Sequence, residues 1–474
     1  MTLDVPLGLA SASRQCVAAE AREVPRVYLW SSESLSLSSA SRRNRRFGQV
    51  SWTIPAMGFL LRSSRRRKEP RVLRRCKGHG RRSMMGAALA LSAGTEAKAA
   101  EEGDYVYPEW LTLPLAPYAR RRTLLKEIVP NEVWTLDQIF GTFYVYVPIR
   151  ATVLKVKDGL LVYAPVAATK ECLSMIKDLE KKHGPVRWIL LPSKAVEHKV
   201  LAGPFAKKFP KAKLFVAPGQ FSVPVDLPLN VLGFPSYEVL DPEGLESLPW
   251  AEDCQTAYVD ASTFGEVALL HKSSKTLVVT DSVISIPEDP PELLLDPEYR
   301  RALAYHAREA AQNELPDTVE VRRKGWARIA LFATFFNPGA LSDGKVEVPE
   351  AGVTRPWQWQ EGWEKSFQRL RQGGRPFVAP IIQELILKQQ PEKTLSYVDR
   401  ISAWDFQRVV SAHFDCPIPL KPKQFREIFS FLTRPKPLAY CAEDVKFLAD
   451  LQTSAIPNGQ AVKVGEPCGF QLRN

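Results

Sequence analysis

The stretch WTLDQIFGTFYVYVPIRATVLKVKDGLLVYAPVA, residues 134–167, decides how the fold is read. Phe143–Arg150 and Thr152–Val156 are rich in β-branched and aromatic residues, and Asp158-Gly159 supplies a tight turn into Leu160–Ala164. The period then changes. Thr169–Lys182 carries Cys172, Leu173, Ile176 and Leu179 at helical spacing, and Gly184-Pro185 ends that helix. Val186–Leu191 is a continuous apolar strand of the kind buried on both faces. A helix over Val200–Phe209, a strand over Ala212–Val216 and a turn at Pro218-Gly219 follow. Ala257–Val259, Glu266–Leu270 and Thr276–Thr280 read as strands, the last two joined by a hairpin at Lys272–Lys275. A hairpin, a strand–helix–strand unit and a return to antiparallel strands suit a layered α/β fold rather than a doubly wound parallel sheet.

Residues 285–375 interrupt the pattern. They hold a Pro/Glu-rich turn at Pro287–Pro291, a helix near Pro297–Gln312, the apolar segment Ala327–Phe336, and a polar loop before Trp357, Trp359 and Trp363. Tryptophans at this spacing read as packing surface rather than a ligand platform. Helical patterning returns at Pro376–Lys388, a buried strand at Phe406–Ala412 and a closing helix at Lys423–Leu432. The expected domain therefore runs from about 110 to 435 with an insertion at about 285–375, and 436–474 reads as a tail.

Charge is distributed unevenly. The chain of 474 residues has 64 Lys+Arg against 52 Asp+Glu, a balance that would suggest nucleic acid or a membrane surface. Residues 1–100 hold 19 of the cations and 6 of the anions, leaving 45 and 46 for the rest, so the basic excess lies in the first hundred residues alone. That region is Ser- and Arg-rich, acid-poor and without amphipathic period, which is the composition of a disordered transit peptide. Arg81-Arg82, an apolar run from Met84 to Ala93 and the small-x-small site Ala97-Lys98-Ala99 have the layout of a twin-arginine export signal. The expectation is a chloroplast protein of the stroma or thylakoid lumen, with no nucleic-acid partner. The longest later apolar run, Ala327–Phe336, is half the length of a membrane span, so no transmembrane segment is expected in the mature chain. Of the five cysteines beyond residue 100, no two form C-x-x-C, which argues against a zinc ribbon and for buried or free thiols, though a lumenal site would permit one bridge.

In a layered α/β protein, polar groups at strand C-terminal ends gather on one sheet edge. Three such ends stand out: Trp188–Leu191 runs into Pro192-Ser-Lys-Ala-Val-Glu197-His198, Thr276–Thr280 ends at Asp281, and Phe406–Ala412 ends at His413-Phe-Asp415. Of the other histidines, His183 sits at a helix end, His271 reads as surface and His306 as part of a solvated helix face. Phosphate-binding loops and a G-x-S-x-G nucleophile elbow are absent from the sequence.

These strand ends, in this order, resemble the metallo-β-lactamase fold, an αββα sandwich. More narrowly, the chain resembles the plant, algal and bacterial family of domain of unknown function 4336, through residues 134–167, KTLVVTDSV (275–283), GRPFVAPIIQELIL (374–387) and WDFQRVVSAHFDCP (404–417). The superfamily's H-x-H-x-D-H motif falls on Ser193, Lys194, Ala195, Val196, Glu197 and His198, so both leading histidines are missing. A further ligand histidine has no counterpart in residues 259–264, where only Asp260 lies nearby. The resemblance implies at most one zinc, iron or manganese ion, held by His198, Asp281 and His413 with Glu197 or Asp260 assisting. Lys194 would repel such an ion and could replace its charge. Two functions stay open. One is a non-catalytic domain that binds a small molecule or a plastid protein, which the loss of the leading histidines favours. The other is a divergent hydrolase, with one metal or none, acting on an ester, thioester or phosphoester through His198, Asp281 and His413.

Overall fold

The computed structural model describes residues 103–107, 119–142, 144–220, 228–230, 233–310, 312–434 and 440–455; the targeting expectation falls on residues outside these. A short ribbon, β1 (Val106–Tyr107) with β2 (Ala119–Arg120), precedes the first sheet. That sheet joins β3 (Leu124–Val129), β4 (Val133–Thr142), β5 (Val145–Val156), β6 (Gly159–Tyr163), β7 (Val186–Leu191), β8 (Lys213–Val216) and β9 (Tyr237–Val239) in sequence order. Pairing is antiparallel as far as β6 and parallel from there on. The two strand signals at 143–156 form one strand, β5, and Pro148 sits within it opposite Ile139. Helices α1 (Lys170–His183) and α2 (Val196–Ala206) provide the parallel crossovers. Thr169 caps α1 by accepting a bond from the Cys172 amide. The second helix starts four residues earlier than its apolar pattern suggests and carries Glu197 and His198 in its first turn.

The second sheet begins with β10 (Cys254–Ala261), β11 (Phe264–His271) and β12 (Thr276–Val279), all antiparallel. An excursion then forms α3 (Pro297–Ala307), α4 (Val319–Phe335), the hairpin of β13 (Leu341–Val348) and β14 (Val353–Trp359), and α5 (Trp363–Arg371). After α6 (Pro380–Leu385) and α7 (Pro391–Ser402), β15 (Arg408–Ser411) enters the second sheet parallel to β12, and β16 (Ile418–Pro419) pairs at its edge. Helix α8 (Pro422–Ile428) follows, and α9 (Ala442–Ala455) places Val445 and Leu448 in the core of the excursion.

Three apolar layers hold the sheets. Cys172, Ile176, Leu201 and Phe205 pack on Leu160, Val162 and Ile189, so α1 and α2 cover the outer face of the first sheet. Leu154, Leu161 and Phe215 meet Trp250, Leu269, Val278 and Val410 between the sheets. Val398, Ile401 and Phe425 cover the outer face of the second sheet against Ala268, Leu270 and Val409. This is the αββα arrangement that the sequence suggests.

The polar loop expected before the tryptophans is instead the β13–β14 hairpin. Gly344 at an irregular pairing and Pro356 inside β14 hide its alternation, although Val346 and Val348 are buried. The tryptophans pack as expected, and two buried arginines join them. Arg328 lies over the rings of Trp359 and Trp363 at 5.0 and 4.7 Å, and Arg355 over Trp357 at 4.3 Å. His306 and His271, read as solvated, are buried: His306 stacks among Tyr305, Phe332 and Trp357, and His271 bonds to Ser274 Oγ and the Lys155 carbonyl. Cys172, Cys254 and Cys416 are free thiols, while Cys441 is disulfide-bonded. Among the described residues no helix is long and apolar enough to cross a membrane.

Asp444, in the first turn of α9, is fully buried and accepts a bond from the Gly339 amide at 2.8 Å. Burial pushes its carboxyl up to about 6, from a usual 3.8. A folded pKa above the unfolded one means that unfolding releases a proton between about pH 4 and 6. Stability is therefore lost as pH rises through that window and stays lower above it. Asp444→Asn, which keeps the acceptor for Gly339, is expected to raise stability at pH 7.5 by about 2 kcal/mol. The gain should vanish near pH 4, as urea unfolding at the two pH values would show.

Candidate metal centre

Strand ends bring the chemistry together. β12 and β15 run parallel with Val279 opposite Ser411, and Asp281 and His413 each lie two residues beyond that pair. The third arm comes from the first sheet. After β7, the Val267 amide donates to the Pro192 carbonyl and the Lys194 amide to the Gly265 carbonyl, so the loop is stitched to β11 before α2 begins. Glu197, His198, Asp281 and His413 thereby offer ligand atoms that all lie within 4.8 Å of one another. The three strand ends singled out in the sequence converge.

His413 has a defined tautomer. Its Nδ1 lies 2.8 Å from the Pro148 carbonyl, which can only accept, so Nδ1 carries the proton and Nε2 presents its lone pair inward. That lone pair faces Asp281 Oδ1 at 3.3 Å. Two acceptors at this distance need a shared proton or a cation between them. His198 Nε2 lies 4.0 Å from Asp281 Oδ2, and neither His198 nitrogen has a hydrogen-bond partner, nor does Asp281 Oδ2. The two imidazole rings are 5.4 Å apart. Orphaned donor atoms of this kind, buried and converging, fit a metal ion.

Electrostatics point the same way. Burial pushes the Asp281 carboxyl up to about 7, the charge of Glu266 adds to it, and only the Thr280 hydroxyl opposes them. The Glu197 carboxyl is raised by enclosure and then by Asp281. His198 is driven well below the usual imidazole range by burial, with His413 adding to the effect. His413 is lowered by burial, against the pull of Glu197. Neutral imidazoles beside carboxylates that resist ionisation describe a pocket short of positive charge.

Other groups fix the arms. Arg150 on β5 grips Asp137 on β4 through Nε and Nη2 at 2.7 and 3.0 Å, both residues being buried. It also donates to the carbonyls of Ser411 and Phe414 at 2.5 and 3.1 Å, which flank His413. Burial alone would lower the guanidinium, yet the Asp137 charge holds it above its usual range. Asp260 does not assist the cluster. Its carboxylate binds Lys194 Nζ at 2.7 Å, and the Ser262 carbonyl takes a second bond at 3.0 Å, so the Lys194 charge is spent there. The Lys194 stem runs between two glycines: a Cβ on Gly219 would lie 2.8 Å from Nζ, and one on Gly265 2.7 Å from Cε. Sequence reasoning missed Asp137, Arg150 and Glu266. The available signal was a charged pair facing across a hairpin, and one acid inside the otherwise apolar strand FGEVALLH.

The αββα sandwich has a metallo-β-lactamase-like fold, with this cluster at its strand ends. A sequence model of the family described as Domain of unknown function (DUF4336) matches residues 130–431, and the chain belongs to that family. No curated protein matches the chain. Solved structures similar to it include a metallo-β-lactamase from Hirschia baltica, at 8% identity and TM-score 0.31, covering 66% of this chain and 99% of that one. A putative diflavin flavoprotein fragment from Nostoc sp. PCC 7120 is 8% identical with TM-score 0.36, over 69% of this chain and 99% of that one. The metallo-β-lactamase FIM-1 from Pseudomonas aeruginosa, in a mono-zinc form, is 11% identical with TM-score 0.25, over 33% and 67%.

Removing Asp137 leaves a buried guanidinium without its anion. Asp137→Ala is expected to destabilise the fold by about 3 to 5 kcal/mol, read from urea unfolding. Mutating both members to a matched apolar pair should cost clearly less.

Proposed function

We propose that the domain holds one divalent metal ion through His198, Asp281 and His413, and that with Glu197 as base it hydrolyses an ester, thioester or phosphoester. The observation that carries this reading is the lone pair of His413 Nε2 turned toward Asp281 Oδ1 at 3.3 Å, with His198 unpartnered beside them. Zinc, iron or manganese would suit two nitrogens and a carboxylate, and when bound would polarise a water and the scissile carbonyl or phosphoryl group. His413 is oriented by Pro148 and by the Arg150 grip on its neighbours, and Asp281 by the turn after β12. Glu197 is half-buried in the first turn of α2 with an oxygen within 4.8 Å of the other three groups, and that proximity supports its role as base.

A second reading rests on the same carboxylate. If Glu197 supplies a fourth ligand, the ion's shell is closed, as in structural sites, and the domain binds rather than cleaves. Purified full-length protein should hold about one ion per chain by elemental analysis, and His413→Ala and Asp281→Ala should each lose it. Glu197→Gln separates the readings. Retained metal with hydrolysis of a model ester panel reduced about 100-fold or more supports the base. Loss of the ion supports the closed shell, and a folded wild type free of metal removes both.

The composition of residues 1–100 supports a separate proposal of delivery to the chloroplast. Fused ahead of a fluorescent protein in plant cells, this segment is expected to direct it into plastids; a cytosolic or nuclear signal would overturn the assignment.

A further inference from the structure

Glu266 is a fully buried acid inside an otherwise apolar strand. It sits in β11 between Gly265 and Val267, its exposure is 0%, and its neighbours Phe264, Val267, Ala268, Leu269 and Leu270 are apolar core. Glu266 gathers neutral donors. Its Oε2 accepts from the amides of Thr280, Asp281 and Ser282 at 2.9, 2.6 and 3.1 Å, and from the Thr280 hydroxyl at 2.5 Å. Its Oε1 accepts from the Tyr397 hydroxyl of α7 at 2.7 Å. Three successive amides converging on one oxygen form an anion-binding nest, which fixes the direction of the chain that carries it.

The same three residues of β11 also hold the opposite arm. Gly265 and Val267 take the backbone of Lys194 and Pro192, and Ser193 bridges to Glu266 itself, four residues before Glu197. One short segment thus grips the arm bearing Glu197 and His198 through its backbone, and the arm bearing Asp281 through its side chain. We propose that Glu266 is a positioning residue: it sets the Thr280–Ser282 turn so that the Asp281 carboxylate meets the two imidazoles, with Tyr397 bracing it from the outer helix. This inference rests on the one-ion reading above for its consequence, though not for its geometry.

The test uses the full-length chain with Co²⁺ as probe, together with hydrogen exchange of the peptide spanning residues 276–286. Glu266→Gln places an NH₂ or a single acceptor where the nest needs an anion. It is expected to weaken Co²⁺ binding about 10- to 100-fold, the range seen when groups that orient ligands are lost, to alter the Co²⁺ d–d spectrum, and to speed exchange at 280–282. A merely structural role would lower the melting temperature while leaving the affinity and spectrum of the folded protein unchanged, and that result overturns the proposal. Should Glu266→Gln not fold, Tyr397→Phe decides. It keeps the nest and removes one bond, so a smaller loss of Co²⁺ affinity with faster exchange is expected, and wild-type values of both overturn the proposal. If the wild type takes up no Co²⁺, the one-ion reading falls by itself and exchange decides Glu266: protection at 280–282 that survives both variants overturns its positioning role.

Discussion

Two strands that lie side by side in the same direction, β12 and β15, set where this protein's chemistry can be. Antiparallel neighbours would have sent Asp281 and His413 to opposite edges of the sheet. The parallel register, with Val279 against Ser411, delivers both to one edge at the same depth. Parallel pairing needs a long connection, and here the whole excursion from α3 to α7 serves as that crossover. The excursion is therefore part of how the site is made. Its core reaches back to the hairpin of the first sheet through Ile139 and Tyr146, and to Phe414 beside His413, whose ring lies 5.8 Å from that of Trp326.

Given that placement, charge becomes the controlling quantity. Asp281 sits near buried Glu266 and within reach of Glu197, while two cations nearby, Arg150 and Lys194, are committed elsewhere. Arg150 is neutralised by Asp137, and Lys194 by Asp260. The residual electrostatic demand falls on the space between two neutral imidazoles and a carboxylate. Protonating Asp281 meets that demand at the cost of the site's charge, and a divalent ion meets it in full. Lys194 does not take this role, although its position in the loop, between the places of the two missing histidines, suggests that it could. Its stem is laid between Gly219 and Gly265 and directed to Asp260 on β10.

Much of this was legible in the sequence because it depends on local signals. The Asp158-Gly159 hairpin, the helix closed by Gly184-Pro185 and the polar residues at three strand ends each declare themselves within ten residues or so. What was hidden depends on distance. Glu266 and Tyr397 are 131 residues apart, Arg150 and Phe414 264. A buried acid shows in sequence only as an oddity in an apolar run, and its partners are mostly backbone amides, which every residue has. The histidines illustrate the same limit. His271 and His306 lie beside lysine and on an amphipathic helix, patterns that usually mean solvent, yet α4 and the β13–β14 hairpin cover His306, and Ser274 folds over His271. The hairpin itself was missed, since a proline and a glycine broke the alternation that would have revealed it.

The missing histidines then acquire a structural meaning. A second metal subsite would need ligands from the loop after β7 and from the end of β10, and these two places are bonded to each other, by Lys194 to Asp260 and Ser262. The pair supplies its own cation and its own anion, so nothing there asks for a metal. The remaining half, built from α2, β12 and β15, gathers Glu197, His198, Asp281 and His413, and the supports that hold it belong to both sheets. Two buried charges are directed at the groups of that half: Glu266 accepts from the turn that presents Asp281, and Arg150 brackets His413 through the carbonyls of Ser411 and Phe414. Each of these charges is satisfied and each faces a candidate ligand, which supports the single-ion proposal.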